Sequence, residues 1–391
     1  MKRKEFLNNL ILASIGASFL PLACKSNNFI EYNQTLPNFK GKVIIVGAGV
    51  SGLFAGYLLK KHNIDFEILE ASSLYGGRVK KDISLSDFPI DLGAEWIHDD
   101  PSVLSEITGI NSLEDKVDTI KYKPKSIYTY HGKKLRKNNW SRFFYSDHKF
   151  KNSSWFDFLE NYIVPSIRDR IILNKPIKSI DYSSNKIILT DNEGNTYICN
   201  KVLVTVPINI LKSNYINFSP AISSHKRKII DSVYMPDGLK VFIKFSKQFY
   251  PDILFTEGLL SGVSSQDKLF YNAAYGKDTS DNILGLFTVG KKSSIYTELD
   301  SEEDILKKIL LELDEIFDGK ASKYYMNHII QNWSKEPFIR GSYSMTYPDL
   351  NQLNPLNNRV YFAGEAFAKE NPSTVIGAAE SAHYAINKML A

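Results

Sequence analysis

The chain has little cysteine, no large excess of charge of one sign and few long apolar runs. Its 391 residues include only two cysteines, Cys24 and Cys199, so a disulfide framework cannot be the basis of the fold. The 48 basic and 43 acidic residues are nearly balanced, and the lysines are scattered, which argues against nucleic-acid binding. Beyond the N-terminal region, no apolar segment reaches the roughly 20 residues that cross a bilayer. With 43% hydrophobic residues, the composition predicts a globular protein large enough for two domains.

The first 24 residues predict a targeting segment. A basic start leads into a short apolar stretch, residues 10–22, which ends at Ala23 and Cys24. This pattern resembles a bacterial lipoprotein signal, in which Cys24 would carry the lipid and residues 25–40 would form a tether. We therefore expect export to the periplasm or the cell-envelope membrane surface, with peripheral membrane contact through the lipid. The alternatives are a weakened twin-arginine signal, a plain secretory signal and an uncleaved anchor. Cys199 would then have no disulfide partner, and its alternating strand pattern predicts a packed thiol.

A glycine-rich turn joins the first strand pattern, residues 42–46, to the first helix pattern, residues 50–62. Gly47, Gly49 and Gly52 form G-x-G-x-x-G between them. The first glycine permits a tight turn, the second lets the backbone approach a pyrophosphate, and the third allows close packing of helix on strand. The N-terminus of the helix then faces the phosphates. The motif predicts a dinucleotide site.

Four further residues extend this site along the chain. Ser51 lies in the first turn of the helix, and Glu70 ends the second strand pattern, 18 residues after Gly52. Glu70 is placed to accept hydrogen bonds from ribose hydroxyls and disfavours a 2′-phosphate, which makes NADP unsuitable. Gly77 and Arg78 follow, and this pair suits a tight backbone that presents a guanidinium to phosphate or to a flavin.

Six blocks, the first of them at residues 91–98, establish a family resemblance. Asp91-Leu92-Gly93-Ala94-Glu95-Trp96-Ile97-His98, placed after Glu70 and Arg78, resembles the FAD-binding flavin amine oxidase superfamily. Its G-A-x-W-I-H form is closer to polyamine oxidases and the related histone demethylases than to amino-acid oxidases. Amino-acid oxidases usually carry an arginine after this Gly-Ala pair, and this chain has none there. Further blocks follow in the family's order: residues 201–211 with Pro207, residues 238–242 with Lys240, Trp333 with residues 341–343, residues 361–365, and residues 373–378.

The resemblance implies a cofactor and the residues that hold it. FAD would be bound without a covalent link, since no cysteine stands where a flavin could be attached. Lys240 would lie near the flavin N5 and contact it through a water, although a snorkelling strand lysine is the alternative from the pattern alone. The backbone N–H groups of Thr374 and Val375 would stabilise the negative end of the reduced flavin. Gly93, Ala94, Glu95, Trp96, Ile177, Pro207, Trp333, Gly364 and Glu365 complete the expected cofactor contacts, with Ile177 at the adenine and Glu365 at the cofactor linker.

The substrate side carries fewer signals. Amine oxidation by a flavin needs a neutral amine whose α-carbon faces N5, held by an aromatic or apolar cage. Trp96, Trp333, Tyr343 and Phe367 are candidates for that cage, and each is equally compatible with core packing. His98, followed by two aspartates, is the candidate for hydrogen bonding to or steering a cationic amine.

The order of strand and helix patterns predicts the fold class. We expect an α/β protein in which a Rossmann-like FAD-binding domain, a parallel sheet with helices, is interleaved with an α+β substrate domain containing a mixed or antiparallel sheet. The expected FAD-binding pieces are residues 41–100, 170–235 and 341–391, and the substrate pieces are residues 101–169 and 236–340. A hairpin is predicted around residues 191–195, and an amphipathic helix over residues 301–317.

The family resemblance implies an FAD-dependent amine oxidase that releases an imine for hydrolysis and passes electrons to O2 or another acceptor. Polyamine-like or other primary and secondary amines are the expected substrates. The alternatives are a C–C desaturase or oxidase of carotenoid or porphyrinogen type, and a surface lipoprotein that binds FAD without turnover.

Overall fold

The computed structural model describes residues 39–137, 147–256 and 268–391. The predicted signal, residues 1–24, and nearly all of the predicted tether lie outside these residues. Within the described ranges, no helix is both long and apolar enough to cross a membrane.

Twenty strands and nine α-helices are described. The strands are β1 Val43–Val46, β2 Phe66–Leu69, β3 Lys81–Asp82, β4 Ile90–Asp91, β5 Thr119–Lys121, β6 Ile127–His131, β7 Lys134–Lys137, β8 His148–Phe150, β9 Ile171–Ile172, β10 Ile177–Asp181, β11 Ile187–Asp191, β12 Thr196–Cys199, β13 Lys201–Val204, β14 Asn217–Ser219, β15 Gly238–Phe245, β16 Ile253–Thr256, β17 Lys268–Asn272, β18 Asn282–Val289, β19 Tyr325–Asn332 and β20 Val360–Phe362. The helices are α1 Val50–Lys61, α2 Val103–Thr108, α3 Trp155–Tyr162, α4 Ile208–Lys212, α5 Ser224–Ser232, α6 Lys291–Thr297, α7 Glu302–Phe317, α8 Lys320–Tyr324 and α9 Val375–Leu390.

A five-stranded parallel sheet of order β20-β13-β1-β2-β9 forms the centre of the cofactor domain. All four residues of β1 are buried, as expected for a strand covered on both faces. Helices α1 and α9 pack against each other and share one apolar core with this sheet. Helix α3, which lies in the segment 101–169, packs into the same core through Trp155, Phe158 and Leu159. The five strands of this sheet come from four separated parts of the chain, residues 43–69, 171–172, 201–204 and 360–362.

A second, seven-stranded sheet of order β19-β15-β18-β17-β16-β6-β7 forms the other domain. Its neighbouring strands are antiparallel except for β16 and β6. Helix α7 covers one face through Ile305, Ile309 and Leu313, which recur every four residues. Because side chains alternate along a strand, the even-numbered residues of β15 face away from α7. Lys240 therefore points toward the segment that follows β4.

The predicted fold class is confirmed, because a parallel sheet with helices is interleaved with a mixed sheet. The hairpin is also confirmed: β11 pairs with β12, and Asp191 accepts hydrogen bonds from Glu193 N and Asn195 N within its turn. Helix α7 begins after Ser301, whose hydroxyl caps it by accepting a hydrogen bond from Asp304 N, as the sequence predicts. Cys199 is buried within the described residues, as expected of a packed thiol. The exact domain boundaries stay a prediction.

Candidate active site

The glycine-rich loop leaves room for a phosphate at the N-terminus of α1. Gly47 has a φ of +104°, and a Cβ on Gly52 would lie 1.9 Å from the carbonyl oxygen of Gly47. A Cβ on Gly49 would meet no protein atom within 4 Å. No side chain caps α1 at Gly49, so its first N–H groups face this open space. The loop therefore fits a pyrophosphate at the helix N-terminus.

Glu70 borders this loop at the end of β2. Its Oε2 accepts a hydrogen bond from Ala48 N at 2.6 Å, and its Oε1 accepts one from Ser72 N at 2.8 Å. Burial raises the pKa of the Glu70 carboxyl, while these backbone hydrogen bonds oppose the rise. Each oxygen keeps a lone pair, so the carboxylate can still accept a ribose hydroxyl. That contact stays a prediction.

Ser51 contributes differently from its neighbours. Its hydroxyl lies 3.4 Å from the hydroxyl of Ser381 on α9, so the side chain joins the two helices. Its backbone N–H, in the first turn of α1, is available for a phosphate. Ser381 Oγ also accepts a hydrogen bond from Gly364 N at 2.9 Å, which brings the C-terminal glycine to the same place. A Cβ on Gly364 would meet only the Phe367 ring, at 3.8 Å.

Arg78 connects the N-terminal loop to the C-terminal part of the chain. Its Nη1 donates to the carbonyl oxygen of Ser342 at 2.6 Å and to Glu365 Oε1 at 3.1 Å. Glu365 Oε2 accepts a further hydrogen bond from Ser344 Oγ at 2.6 Å. Gly77 lies against Gly49, because its Cβ would stand 3.2 Å from the Gly49 Cα. The Glu365 carboxylate thus holds Arg78 beside the loop, and its contact with the cofactor linker stays a prediction.

Helix α9 presents a second N-terminus to the same region. Thr374 Oγ1 accepts from Gly377 N at 2.9 Å and donates to Asn371 O at 2.7 Å. The N–H of Val375, in the first turn, has no partner within the helix. This terminus can therefore donate to a negatively charged group, as the resemblance implies.

Two more predicted residues occupy the ends of strands near this region. Pro207 lies three residues after the end of β13 and directly before α4. Ile177 begins β10 and is buried in a core with Val46 and Leu69, the last residues of β1 and β2. Both lie at the carboxyl-end side of the parallel sheet, where ligands bind in such folds.

The backbone segment 91–96 lies between the cofactor loop and the seven-stranded sheet. A Cβ on Gly93 would stand 1.8 Å from Arg78 O and 3.0 Å from the Trp333 ring, so only glycine fits there. Ala94 N donates to Arg78 O at 3.2 Å, and Trp333 Nε1 donates to Leu92 O at 3.1 Å. Arg78 and Trp333 therefore fix this segment in place.

Lys240 reaches this segment from β15 and is fully engaged by it. Its Nζ donates to Asp91 O at 2.8 Å, to Gly93 O at 3.0 Å and to Glu95 Oε2 at 2.7 Å. An ammonium has three donors, so a water-mediated contact with a flavin requires one of these hydrogen bonds to open or to be shared. The position of Lys240 suits a fixed positive charge at the seam of the two domains. Its contact with the flavin stays a prediction.

Glu95 holds a second buried lysine that the sequence did not single out. Lys149 Nζ on β8 lies 2.5 Å from Glu95 Oε1, and both side chains are almost fully buried. Tyr271 donates its hydroxyl to Glu95 Oε2 at 2.5 Å. Lys149 lies in the short strand β8, His148–Phe150, whose last two residues are both buried, and no pattern in its sequence marks the lysine as buried.

Burial and charge shift the pKa values in this cluster. Burial raises the pKa of Asp91 to about 8, and the nearby Glu95 carboxylate adds to the rise. Burial alone would raise the pKa of Glu95, but the ammonium groups of Lys149 and Lys240 hold it well below its usual value. Burial lowers the pKa of Lys277 to about 8, assisted by Lys149. The pKa of Tyr271 is raised well above its usual value by burial and by Glu95.

The aromatic residues expected in the substrate cage do not all contact one another. The Trp96 ring contacts Tyr122 edge to face, with ring centres 4.9 Å apart, and lies 6.0 Å from Tyr271. Tyr343 stacks parallel to Phe287 at 6.4 Å. By contrast, Phe367 stacks on Phe362 in the core beneath the parallel sheet. Phe367 is therefore a packing residue, because β20 and the turn after it bury its ring.

His98 stands two residues beyond Trp96 and is about one-third exposed. Its Nδ1 lies within hydrogen-bond distance of Asp147 Oδ1, at 3.2 Å. The neighbouring loop is acidic: burial, together with Asp99 and Asp100, raises the pKa of Glu106. His98 thus marks an acidic, partly exposed rim, and its role toward a substrate stays a prediction.

Comparisons with known proteins agree with this geometry. Residues 45–107 match an NAD(P)-binding Rossmann-like domain. The chain is 22% identical to probable polyamine oxidase 4 of Arabidopsis thaliana, over 89% of this chain and 86% of that protein. It is 27% identical to lysine-specific histone demethylase 1B of Mus musculus, over 53% of this chain but only 26% of that protein.

Solved structures show the same fold. A putrescine oxidase double mutant superposes with a TM-score of 0.73 at 15% identity, over 90% of this chain and 99% of that one. Cyclohexylamine oxidase from Brevibacterium oxydans gives a TM-score of 0.72 at 14% identity, over 90% and 99%. Residues 156–390, more than half of the chain, match the family described as flavin containing amine oxidoreductase. The chain belongs to this family of flavin-dependent amine oxidases.

Proposed function

We propose that this FAD-dependent amine oxidase acts on polyamine-like or other primary and secondary amines, with O2 or another molecule as the electron acceptor. Bound FAD supplies the two-electron oxidation that removes a hydride from the carbon beside the nitrogen. Water hydrolyses the resulting imine to a carbonyl compound and either ammonia, from a primary amine, or an amine, from a secondary amine. With O2 as the acceptor, the reduced flavin also gives H2O2. The names of the relatives, polyamine, putrescine and cyclohexylamine oxidases, support an amine substrate.

The observation that carries the proposal is the placement of Lys240. Its ammonium is buried on segment 91–95, whose Gly93 packs against Arg78 and Trp333 beside the phosphate loop. A fixed positive charge at this seam assists the accumulation of negative charge on a neighbouring group. Gly49, Arg78 and the terminus of α9 bind and orient the cofactor, and the buried aromatic rings exclude water from the reacting end.

The rim offers a second feature suited to an amine. A partly exposed acidic group lies just beyond Trp96. It consists of Asp99 and Asp100, three and four residues after Trp96, and of Asp147, which contacts His98. Such a rim attracts a cation and holds a charged end of the substrate near the entrance. A polyamine has a second ammonium to place there, whereas an amino acid brings a carboxylate that the rim repels.

Anaerobic flavin reduction tests the function. We expect the absorbance of the purified FAD-bound protein to bleach on addition of putrescine, spermidine or n-butylamine, and to remain unchanged with α-amino acids. The reaction is followed by stopped flow without O2, so the electron acceptor does not affect the result. Bleaching by a polyene or a porphyrinogen, with none by any amine, would overturn the proposal in favour of C–C oxidation.

The location of the protein is a separate proposal that rests on residues 1–24. We propose that Cys24 is lipidated after export and attaches the protein to a membrane surface. The support is the basic, apolar and small-residue pattern that ends at Ala23-Cys24. Incorporation of labelled palmitate in the expressing cells should be lost in Cys24→Ser and retained in Cys199→Ser. Equal labelling of both variants would contradict lipidation at Cys24.

A further inference from the structure

A second buried ammonium shares the carboxylate that holds Lys240. Lys149 Nζ contacts Glu95 Oε1, and Lys240 Nζ contacts the other oxygen of the same carboxylate. Lys149 also stands over the faces of three aromatic rings, 4.9 Å from the centre of Trp96, 5.4 Å from Tyr271 and 5.7 Å from Tyr122. Carboxylate and ring faces together stabilise an ammonium away from water. Within the described residues, Lys149 Nζ makes no further hydrogen bond.

The charges in this cluster do not cancel. Glu95 carries one negative charge against the two ammonium groups of Lys149 and Lys240. A second carboxylate, Asp91, is buried nearby, but burial and the Glu95 carboxylate raise its pKa and favour its neutral form, and a third lysine, Lys277, faces it. Lys277 lies close enough to Lys149 for repulsion to help lower its own pKa to about 8. The buried end of the site is therefore net positive.

A partly exposed group with an acidic member lies two residues beyond Trp96, where His98 contacts Asp147. Lys149 is buried beneath Trp96, whereas His98 and Asp147 are about one-third exposed. Because Ile97 and His148 form an antiparallel pair, Trp96 lies opposite Lys149 and His98 lies opposite Asp147. Side chains alternate along a strand, so these four lie on one face, with Lys149 buried and the His98–Asp147 pair partly exposed. The site thus has a positive buried end and a negative rim.

We propose that Lys149 is a positioning residue that, together with Lys240, makes the buried end of the site positive so that the reacting amine binds there as the neutral free base. A protonated amine beside two ammonium groups is disfavoured, and its proton is released more readily than in water. The neutral amine is the form from which a hydride can leave, since its nitrogen lone pair stabilises the carbon that loses it. The acidic rim holds the charge of any second ammonium on the substrate. This inference rests on the proposed amine oxidase function.

The effect depends on a defined set of neighbours. The titratable groups that face Lys149 from the elements packed around it are Asp91, Glu95, Tyr122, Lys240, Tyr271 and Lys277. Asp91 and Lys277 titrate near pH 8. The pH profile of each amine must therefore be compared between the wild type and a variant that differs only at Lys149, because Asp91 and Lys277 are present in both.

The test is the pH profile of anaerobic flavin reduction at saturating n-butylamine and, separately, putrescine. At saturation the profile reports the pKa of the bound amine. We expect an apparent pKa below that of the free amine in the wild type, and a rise by about one pH unit in Lys149→Met. Lys149→Arg should return it toward the wild-type value. Lys151→Met is the matched control, because Lys151 lies two residues away and pairs with Asp278 at the surface.

The midpoint potential of the bound flavin gives a readout that needs no amine. Loss of a buried positive charge should lower the potential in Lys149→Met and leave it unchanged in Lys151→Met. If amines bleach the flavin but the apparent pKa in the wild-type complex equals that of the free amine, the inference is overturned and the proposed function stays intact. That comparison needs no variant, so it stands even if Lys149→Met does not fold. Absence of bleaching by any amine would instead overturn the proposed function.

Discussion

Arg78 and Glu365, separated by 287 positions in the sequence, are joined by an ion pair of 3.1 Å between Nη1 and Oε1. The same Nη1 donates to Ser342 O, and Gly77 places the arginine beside the phosphate loop. The carboxylate of Glu365 is almost fully buried, and Ser344 holds its other oxygen. The cofactor site is therefore closed by contacts between the two ends of the chain.

Replacing Arg78 should weaken FAD binding. In Arg78→Ala, Glu365 keeps Ser344 but loses its cation, and the guanidinium beside the loop is gone. We expect about tenfold or greater loss of FAD affinity, measured by titrating apoprotein with FAD. Arg170→Ala is the control, since Arg170 pairs with Asp65 at the surface. Equal affinity in both variants would show that Arg78 does not serve the cofactor.

The loop glycines should separate cofactor binding from folding. A methyl at position 49 enters space that no protein atom occupies, whereas one at position 52 collides with the Gly47 carbonyl. Gly49→Ala should therefore keep the unfolding temperature of the apoprotein and lose FAD. Gly52→Ala should destabilise the apoprotein itself, by roughly 2 kcal/mol or more. Thermal unfolding and flavin content measure the two effects, and full FAD retention in Gly49→Ala would contradict this placement of the phosphate.

Lys240→Met should affect oxygen reactivity more than flavin reduction. The change removes three hydrogen bonds but leaves Glu95 paired with Lys149. We expect a loss of stability of about 2–4 kcal/mol, as for a broken buried ion pair. Reoxidation of the reduced flavin by O2 should slow while anaerobic reduction stays near normal. Lys244→Met, on the same strand and paired with Asp281, is the control. Unchanged oxygen reactivity would refute the role.

His383 should make the protein sensitive to acid. Burial lowers the pKa of this α9 histidine to about 4, and its neutral ring donates to Ile107 O through Nε2 at 3.1 Å. The unfolded chain takes up a proton near pH 6.5, whereas the folded protein resists protonation until about pH 4. Stability from this group is complete above pH 6.5 and is lost as the pH falls toward 4, by up to about 3 kcal/mol.

Urea unfolding between pH 7 and pH 4 measures this effect. His383→Gln should flatten the part of the profile that the histidine causes, at some cost in stability at pH 7. His225→Gln changes an exposed histidine of α5 and should leave the profile as in the wild type. An equally steep profile in His383→Gln would assign the acid sensitivity to other groups.

Cys199 should be unreactive in the folded protein. It is buried at the end of β12, and burial raises the pKa of its thiol to about 12. Alkylation by iodoacetamide needs the thiolate, so we expect no labelling at pH 8 without denaturant and rapid labelling in urea. Mass spectrometry of the peptide gives the extent of labelling. Fast labelling of the native protein would contradict the packing around β12.

The sequence predicted those features that depend on local spacing. Gly47, Gly49 and Glu70 follow from a strand, a turn and a second strand within about thirty residues, and α7 follows from a helical period with an acidic first turn. The fold class is confirmed for the same reason, because strand and helix periods are read over short windows. Arg78 and Trp333 were expected near the cofactor, but their contacts with Glu365 and Leu92 depend on tertiary packing.

The rest of the site could not be predicted from spacing. Lys149 meets Lys240 only because β8 and β15 converge on Glu95, and no local pattern distinguishes it from the many other lysines. The sequence left Phe367 open between an aromatic cage and core packing, and the structure buries its ring against Phe362 after β20. In both cases the outcome depends on which elements pack together rather than on residue type.

The parallel sheet has a consequence for synthesis of the protein. Its outer strand β20 and the helix α9 that covers α1 lie far behind α1 in the chain, so they leave the ribosome long after α1 does. Until then α1 exposes an apolar face that has no cover. The N-terminal part of the sheet therefore cannot complete its core during synthesis until β20 and α9 have been made. Before that, its exposed apolar surface can bind chaperones.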